Sequence, residues 1–305
     1  MSLVYAAQQI TIYVGFFFVM IGIVGNGINI LVFLKTRTYR TTSCTFYFLM
    51  SSIVNIAFII TNITSRIVSS GFGIDVTRTL VLWCKARQYF VITFASITFT
   101  CSCLATIDQF FVTSQNAYLR NLSKMKRAHR ITLIMIIICC VHGIPCFIFY
   151  NISPVTKTCM SMNTFYAIYI FIHLLAVLSA IPVLIMIVFG YLTYRNIQLT
   201  QILALEQADR QLIRMTMFQV ILVIFSLVPY GGSIAYNLIT SGNIKDPNRV
   251  LTENFFTAIF NLFPYFYYTG SCYMFLISSS RFRRATKEQI FFWRRWNRVI
   301  PTSVR

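Results

Sequence analysis

Charged residues cut the chain into seven long charge-free runs: 1–34, 41–65, 88–107, 131–156, 158–194, 215–244 and 254–280. A helix needs about 20 apolar residues to cross the hydrocarbon core of a bilayer. Backbone groups in lipid must find partners within their own segment, so each run reads as a helix. The pattern predicts seven spans, over roughly residues 9–35, 43–66, 81–114, 128–151, 163–196, 208–240 and 250–278. The start of the 158–194 run (Cys159, Ser161, Asn163) reads as loop. Short polar stretches separate the spans, which leaves no room for a second domain, and no internal repeat is visible.

Composition agrees with this pattern. Of the 305 residues, 57% are hydrophobic and 11% charged, against about 25% charged in an ordinary soluble domain. The expected fold class is an all-α membrane protein, a seven-helix bundle.

Charge then sets the orientation. The loops 35–40, 115–130 and 195–214 and the tail from Arg281 carry 19 of the 26 Lys and Arg residues. By the positive-inside rule that side is cytoplasmic and the N-terminus is outside. The net charge of +19 suits an anionic inner leaflet. Nucleic acid is not an expected partner, because no soluble domain gathers the basic residues. The first run is too long for a cleaved signal and has no basic leader, so it reads as a retained anchor.

Most of the nine cysteines lie inside spans, where a thiol is a small apolar filler. Cys84 and Cys159 differ, since both fall on the outer, oxidising side where a disulfide persists. His142 and His173 are lone residues in apolar helices and read as packing. No Cys or His pair has metal-ligand spacing. No metal or cofactor is expected, and no carboxylate pair or nucleophile cluster points to an enzyme.

Several features together resemble the rhodopsin-like G-protein-coupled receptors. They are the seven spans, "GIVGNGINILVF" in the first span, "WC" opening the third, and the 24 residues from Cys84 to Asp108. The resemblance covers essentially the whole chain and marks a divergent member. It implies that Cys84 is the family's disulfide cysteine and that "DQF" (Asp108, Gln109, Phe110) stands where the family has Asp-Arg-Tyr. Asn26, Pro182 and Pro229 match family positions. Asn55 replaces an Asp, Leu227 a Trp, and "SCYMF" at 271–275 the Asn-Pro-x-x-Tyr motif. Pro182 and Pro229 can kink their helices, with Pro264 or Gly270 supplying a break in the seventh span. Asn55 removes a buried charge, so a sodium site there is expected to be weak or absent.

The resemblance also implies a ligand cavity bounded by Val91, Ile92, Ala95, Leu227, Tyr230, Asn261 and Tyr265. The family's amine receptors carry an acid at the position of Val91, so an amine ligand is not expected. The seventh span has no lysine for a retinal Schiff base. The mildly basic outer loops lean towards a short peptide, such as a neuropeptide, as the extracellular ligand. The sequons at Asn62 and Asn151 lie close to the membrane, and Asn121 lies on the cytoplasmic side.

On the inner side, "SRFRRATKEQIFFWRRWNRV" mixes basic residues with Ile290, Phe291, Trp293 and Trp296. It suits an interfacial helix over about 280–293. The resemblance implies a switch in which the motif arginine pairs with acids. Here the arginine is Gln109, while Asp209 keeps the sixth-span acid. Arg210 and Arg214 are candidates to pair with Asp108 or Asp209 at rest. The expected activity is activation of a heterotrimeric G protein by movement of the sixth helix. The alternatives are a receptor-like protein with altered or absent coupling, and a small transporter. Transporters tend to carry midplane charges and repeat symmetry, which this chain lacks.

Overall fold

The computed structural model describes residues 3–199, 207–240, 242 and 245–298. Six helices among them are long and apolar enough to cross a membrane. They are α1 (Leu3–Lys35), α2 (Ser43–Gly71), α3 (Val81–Thr113), α4 (Met125–Phe149), α5 (Thr164–Leu199) and α6 (Gln207–Ile239). The seventh apolar run does not form one long helix. It is divided into α7 (Pro247–Phe260) and α8 (Phe263–Ser278). Pro264 sits in the first turn of α8. In an unbroken helix its ring would strike the carbonyl of Phe260, the residue at which α7 ends. A last helix, α9, runs over Ser280–Arg298, longer than its sequence pattern predicts. The result is an all-α fold of the multi-pass membrane type, with a single short β-hairpin among the described residues.

Other boundaries also shift. α1 starts at Leu3 and α2 runs on to Gly71. The fourth span stops at Phe149, because Tyr150–Ile152 is a strand, β1. It pairs antiparallel with β2 (Cys159–Ser161), with Asn151 opposite Met160. This hairpin has no sequence expectation behind it.

α3 is the central helix. Its most apolar stretch is 61% buried inside the protein, against 22% for α4, which lies at the periphery. Below mid-bundle a chain of neutral polar groups joins four helices. The Asn26 amide donates to the carbonyls of Gly22 and Tyr268, both at 2.8 Å. Asn55 Nδ2 donates to Asn26 Oδ1 (3.3 Å), and Thr98 Oγ1 donates to Asn55 Oδ1 (3.0 Å). Asn29 Nδ2 reaches Ser52 (3.1 Å) and Ser271 (3.3 Å), and Ser102 bonds Tyr267. Apolar contact alone does not drive helices together in lipid, so such bonds and close backbone approach hold the bundle.

Gly22 marks a close approach of three helices. A Cβ there would lie 2.6 Å from Ile59 Cδ1 and 2.7 Å from Thr269 Cγ2. At Gly27 a Cβ would meet nothing within 4 Å. Gly22→Val is therefore expected to cost about 1–3 kcal/mol through overpacking, while Gly27→Val leaves thermal unfolding nearly unchanged. Equal melting of the two variants would refute this packing assignment.

α9 is tied to the bundle at its start. Phe282 is fully buried, with its ring 5.6 Å from Phe33 and 5.8 Å from Phe275. Gln211 Oε1 accepts from Ser279 Oγ and from the Arg281 backbone N–H. Arg283 donates to the carbonyls of Leu276 and Ile277, the open C-terminal end of α8. The side chains of Phe291, Trp293 and Trp296 lie outside the described residues.

Candidate functional site

Cys84 and Cys159 form a disulfide, with Cα atoms 5.7 Å apart. It pins the β1–β2 hairpin to the first turn of α3. Cys84 is fully buried among Ile92, Cys146, Tyr150, Tyr166 and Ile170. At this end of the bundle, five helices enclose a cavity of about 160 Å³.

Helical stripes build its wall. α2 contributes Phe58, Asn62 and Arg66, and α3 contributes Arg87, Val91, Ala95 and Phe99. Both sets follow i, i+4 spacing, so each lies along one helix face. Leu174 and Leu178 come from α5, Leu227 and Tyr230 from α6, and Tyr265 and Tyr268 from α8. Asn261 and Pro264 lie at the break before and within the start of α8. Two wall segments are π-helical: Ile59–Ile63 in α2 and His173–Ala180 in α5. A π turn holds an extra residue and rotates the rest of its helix, and such turns recur at functional sites. Here they carry Asn62, Leu174 and Leu178.

The cavity includes six of the seven residues expected from sequence: Val91, Ala95, Leu227, Tyr230, Asn261 and Tyr265. Ile92 is not among them. One residue along a helix is about 100° of rotation, and Ile92 packs into the cluster around Cys84. Sequence reasoning passed over Asn62, Arg66 and Arg87. The i, i+4 stripes 58–62–66 and 87–91–95 are the signal that marks them. Asn62, one of the sequons, is buried and bonded: its Oδ1 accepts from Arg87 and its Nδ2 donates to Tyr265 Oη, both at 3.2 Å.

The prolines have defined surroundings. Pro182 follows the π turns of α5, where the wider winding accommodates its missing N–H. Pro229 lies inside α6. Two residues before it, the Leu227 carbonyl accepts from Ser179 Oγ at 3.1 Å, which ties α6 to α5 beside the proline.

At the opposite end, Asp108 is 5% exposed and Gln109 is 1% exposed. Asp108 lines a second cavity of about 240 Å³ with Tyr47, Leu122, Lys124 and Arg127. The polar groups facing its carboxylate are Ser123 and the Cys44 backbone N–H. The expected pairing of Arg210 or Arg214 with Asp108 is not present. Both arginines are exposed and join no ion pair among the described residues. Asp108 turns towards α2 and the start of α4, away from α6, which explains the difference. The side chain of Asp209 lies outside the described residues. Neither amide atom of Gln109 makes a well-formed hydrogen bond among the described residues; its polar neighbour is the Cys44 thiol, a weak partner. Phe110 packs against Phe189 of α5, with ring centres 5.5 Å apart.

No protein-family model and no curated protein matches the chain.

Proposed function

We propose that the chain is a receptor of the rhodopsin-like G-protein-coupled type. In this reading α7 and α8 together make the seventh span. The disulfide end faces outward in the plasma membrane, and α9 lies on the anionic inner leaflet, as the distribution of Lys and Arg supports. An extracellular ligand enters the cavity, and α6, which Pro229 allows to hinge, carries the change to a heterotrimeric G protein.

The observation that supports this most is the convergence of five helices on one cavity beneath a disulfide-pinned hairpin. A polar chain leads from it into the bundle, through Asn26, Asn55 and Thr98. A site shared by several helices can bias how they pack, which is what a ligand-driven switch requires.

A second reading, a receptor-like protein with altered or absent coupling, is favoured by Gln109. A buried neutral amide stands where the family carries an arginine, and it cannot form a charged pair.

Purified chain added to each class of heterotrimer separates the two. The receptor reading expects faster nucleotide exchange on at least one class. Exchange on none of them leaves the second reading. Gln109→Leu is expected to unfold within about 1 kcal/mol of wild type, because its amide has at most a weak thiol partner to lose. If the amide serves only the G-protein-bound state, the same variant lowers exchange while its melting is unchanged. A large loss of stability would show that Gln109 is bonded at rest.

A further inference from the structure

Two guanidinium groups line the same half-open cavity. Arg66 and Arg87 both line the cavity between the five helices. The Nε of each is sealed from solvent and has no acceptor among the described residues. Arg87 gives one N–H to Asn62 at 3.2 Å. The Arg66 side chain makes no hydrogen bond or ion pair that the described residues record. The two arginines act on each other as like charges.

No carboxylate within the described residues neutralises them. Asp75 is the acid that acts on Arg87, but it is already engaged. It pairs with Arg78 at 3.1 Å and accepts from the Thr77 backbone N–H at 3.1 Å and from the Thr77 hydroxyl. The other ion pairs among the described residues join Glu253 to Lys245 and Arg249. Two half-buried cations on one cavity repel each other across a partly apolar space, and an anion between them turns that repulsion into attraction.

The geometry favours one kind of anion. Asn62 holds Arg87 from one side and Tyr265 from the other, which orients the guanidinium plane before anything binds. A guanidinium presents a fork of donors that matches a carboxylate or a phosphate. The cavity walls also carry Gln88, Tyr230 and Asn261, but Val91, Ala95, Phe99, Leu178 and Leu227 are apolar. That suits an anion with two charged oxygens and an apolar neighbour better than a phosphate, which needs donors around three. A volume of about 160 Å³ is below the usual 300–1,000 Å³ of a whole-ligand pocket. It has room for an end group and a few carbons.

We propose that this cavity holds the carboxylate end of an extracellular ligand, bridged between Arg66 and Arg87, with the apolar group next to it against Phe99, Leu178 and Leu227. This rests on the reading of the cavity as the receptor's ligand site, and it replaces a diffuse basic mouth with two named residues. The carboxylate can belong to a free acid or to the C-terminus of a peptide.

The test uses the full chain in nanodiscs of zwitterionic lipid, with thermal unfolding as the readout and no G protein. The probes are 3-phenylpropionate and its amide, N-acetyl-Leu-Phe and its amide, and inorganic phosphate. An acid is expected to raise the unfolding temperature saturably while its amide does not. Stabilisation by the small acid assigns the site to free acids. Stabilisation by the dipeptide acid alone assigns it to a peptide terminus. Arg66→Gln and Arg87→Gln are each expected to weaken the acid at least tenfold, the scale of a charged hydrogen bond.

Without ligand, Arg66→Gln is expected to unfold no lower than wild type, since it removes a repulsion and no bond. The proposal is overturned if neither acid stabilises the chain, if phosphate or an amide stabilises it equally, or if Arg66→Gln lowers stability while leaving acid binding intact. A chain that binds the acid but activates no G protein keeps this inference and loses the coupling reading. A chain that activates G protein and ignores both acids loses this inference alone.

Discussion

Replacing Cys84 by Ala is expected to lower stability by about 2–4 kcal/mol and to sharply reduce folded protein at the cell surface. A cross-link over 75 residues restricts the unfolded chain by about 4 kcal/mol in the loop-entropy picture. The lower figure applies because a chain unfolded within a bilayer keeps its spanning helices and has less freedom to lose. Alanine is the right replacement, since Cys84 is fully buried in an apolar cluster and a serine would add an orphaned hydroxyl. Cys159→Ala removes the same bond from the hairpin side. If the bond is the whole effect, the double variant melts with the two single ones, because neither contributes further once the other is gone. Losses that add would instead assign the effect to packing around Cys84. The cavity gives a second readout. With the hairpin unpinned from α3, the acid probes should dissociate faster from whatever chain remains folded.

The long helices were legible in the sequence because the bilayer imposes a length and an apolar composition on each of them. The cavity was legible in outline through the resemblance, by family position and not from spacing; the structure sets Val91 and Ala95 one turn apart on α3, lining the same space. Three details were not, each for a physical reason. Arg87 lies inside the predicted third span, 81–114, but outside its charge-free run, which begins at Gln88. It therefore reads as one of the outer-side cations, whereas the structure turns it towards the cavity. A cation inside a helix bundle is tolerated where it faces a cavity, and such residues mark function by default. The π turns of α2 and α5 add a residue without changing composition, so no apolar period announces them. Ile92 shows the limit of spacing alone: a one-residue difference in phase separates a cavity wall from a packed interior. The paired charges expected at the other end also depended on which way Asp108 turned, and its identity and spacing carry no information on that.

Asn26→Leu is expected to cost about 2–3 kcal/mol, more than any other single loss in the polar chain below the cavity. The substitution keeps the bulk of the side chain and removes the amide. Its bonds to Asn55 and to the Tyr268 carbonyl each join two helices, and such bonds in membrane proteins average about 0.6 kcal/mol. Most of the loss comes from the partner left unpaired. Asn55 Nδ2 loses its acceptor while fully enclosed, and an orphaned buried donor costs about 1–3 kcal/mol. Asn55→Leu is milder, because Thr98 can turn its hydroxyl to a backbone carbonyl one turn back. The double variant removes both ends of the Asn26–Asn55 bond and leaves no orphan between them. It is therefore expected to melt close to Asn26→Leu and well above the sum of the two losses. A thermal double-mutant cycle measures this coupling directly. Strict additivity would mean that Asn26 and Asn55 stabilise the bundle independently, and that no polar chain connects the cavity to the helices beneath it.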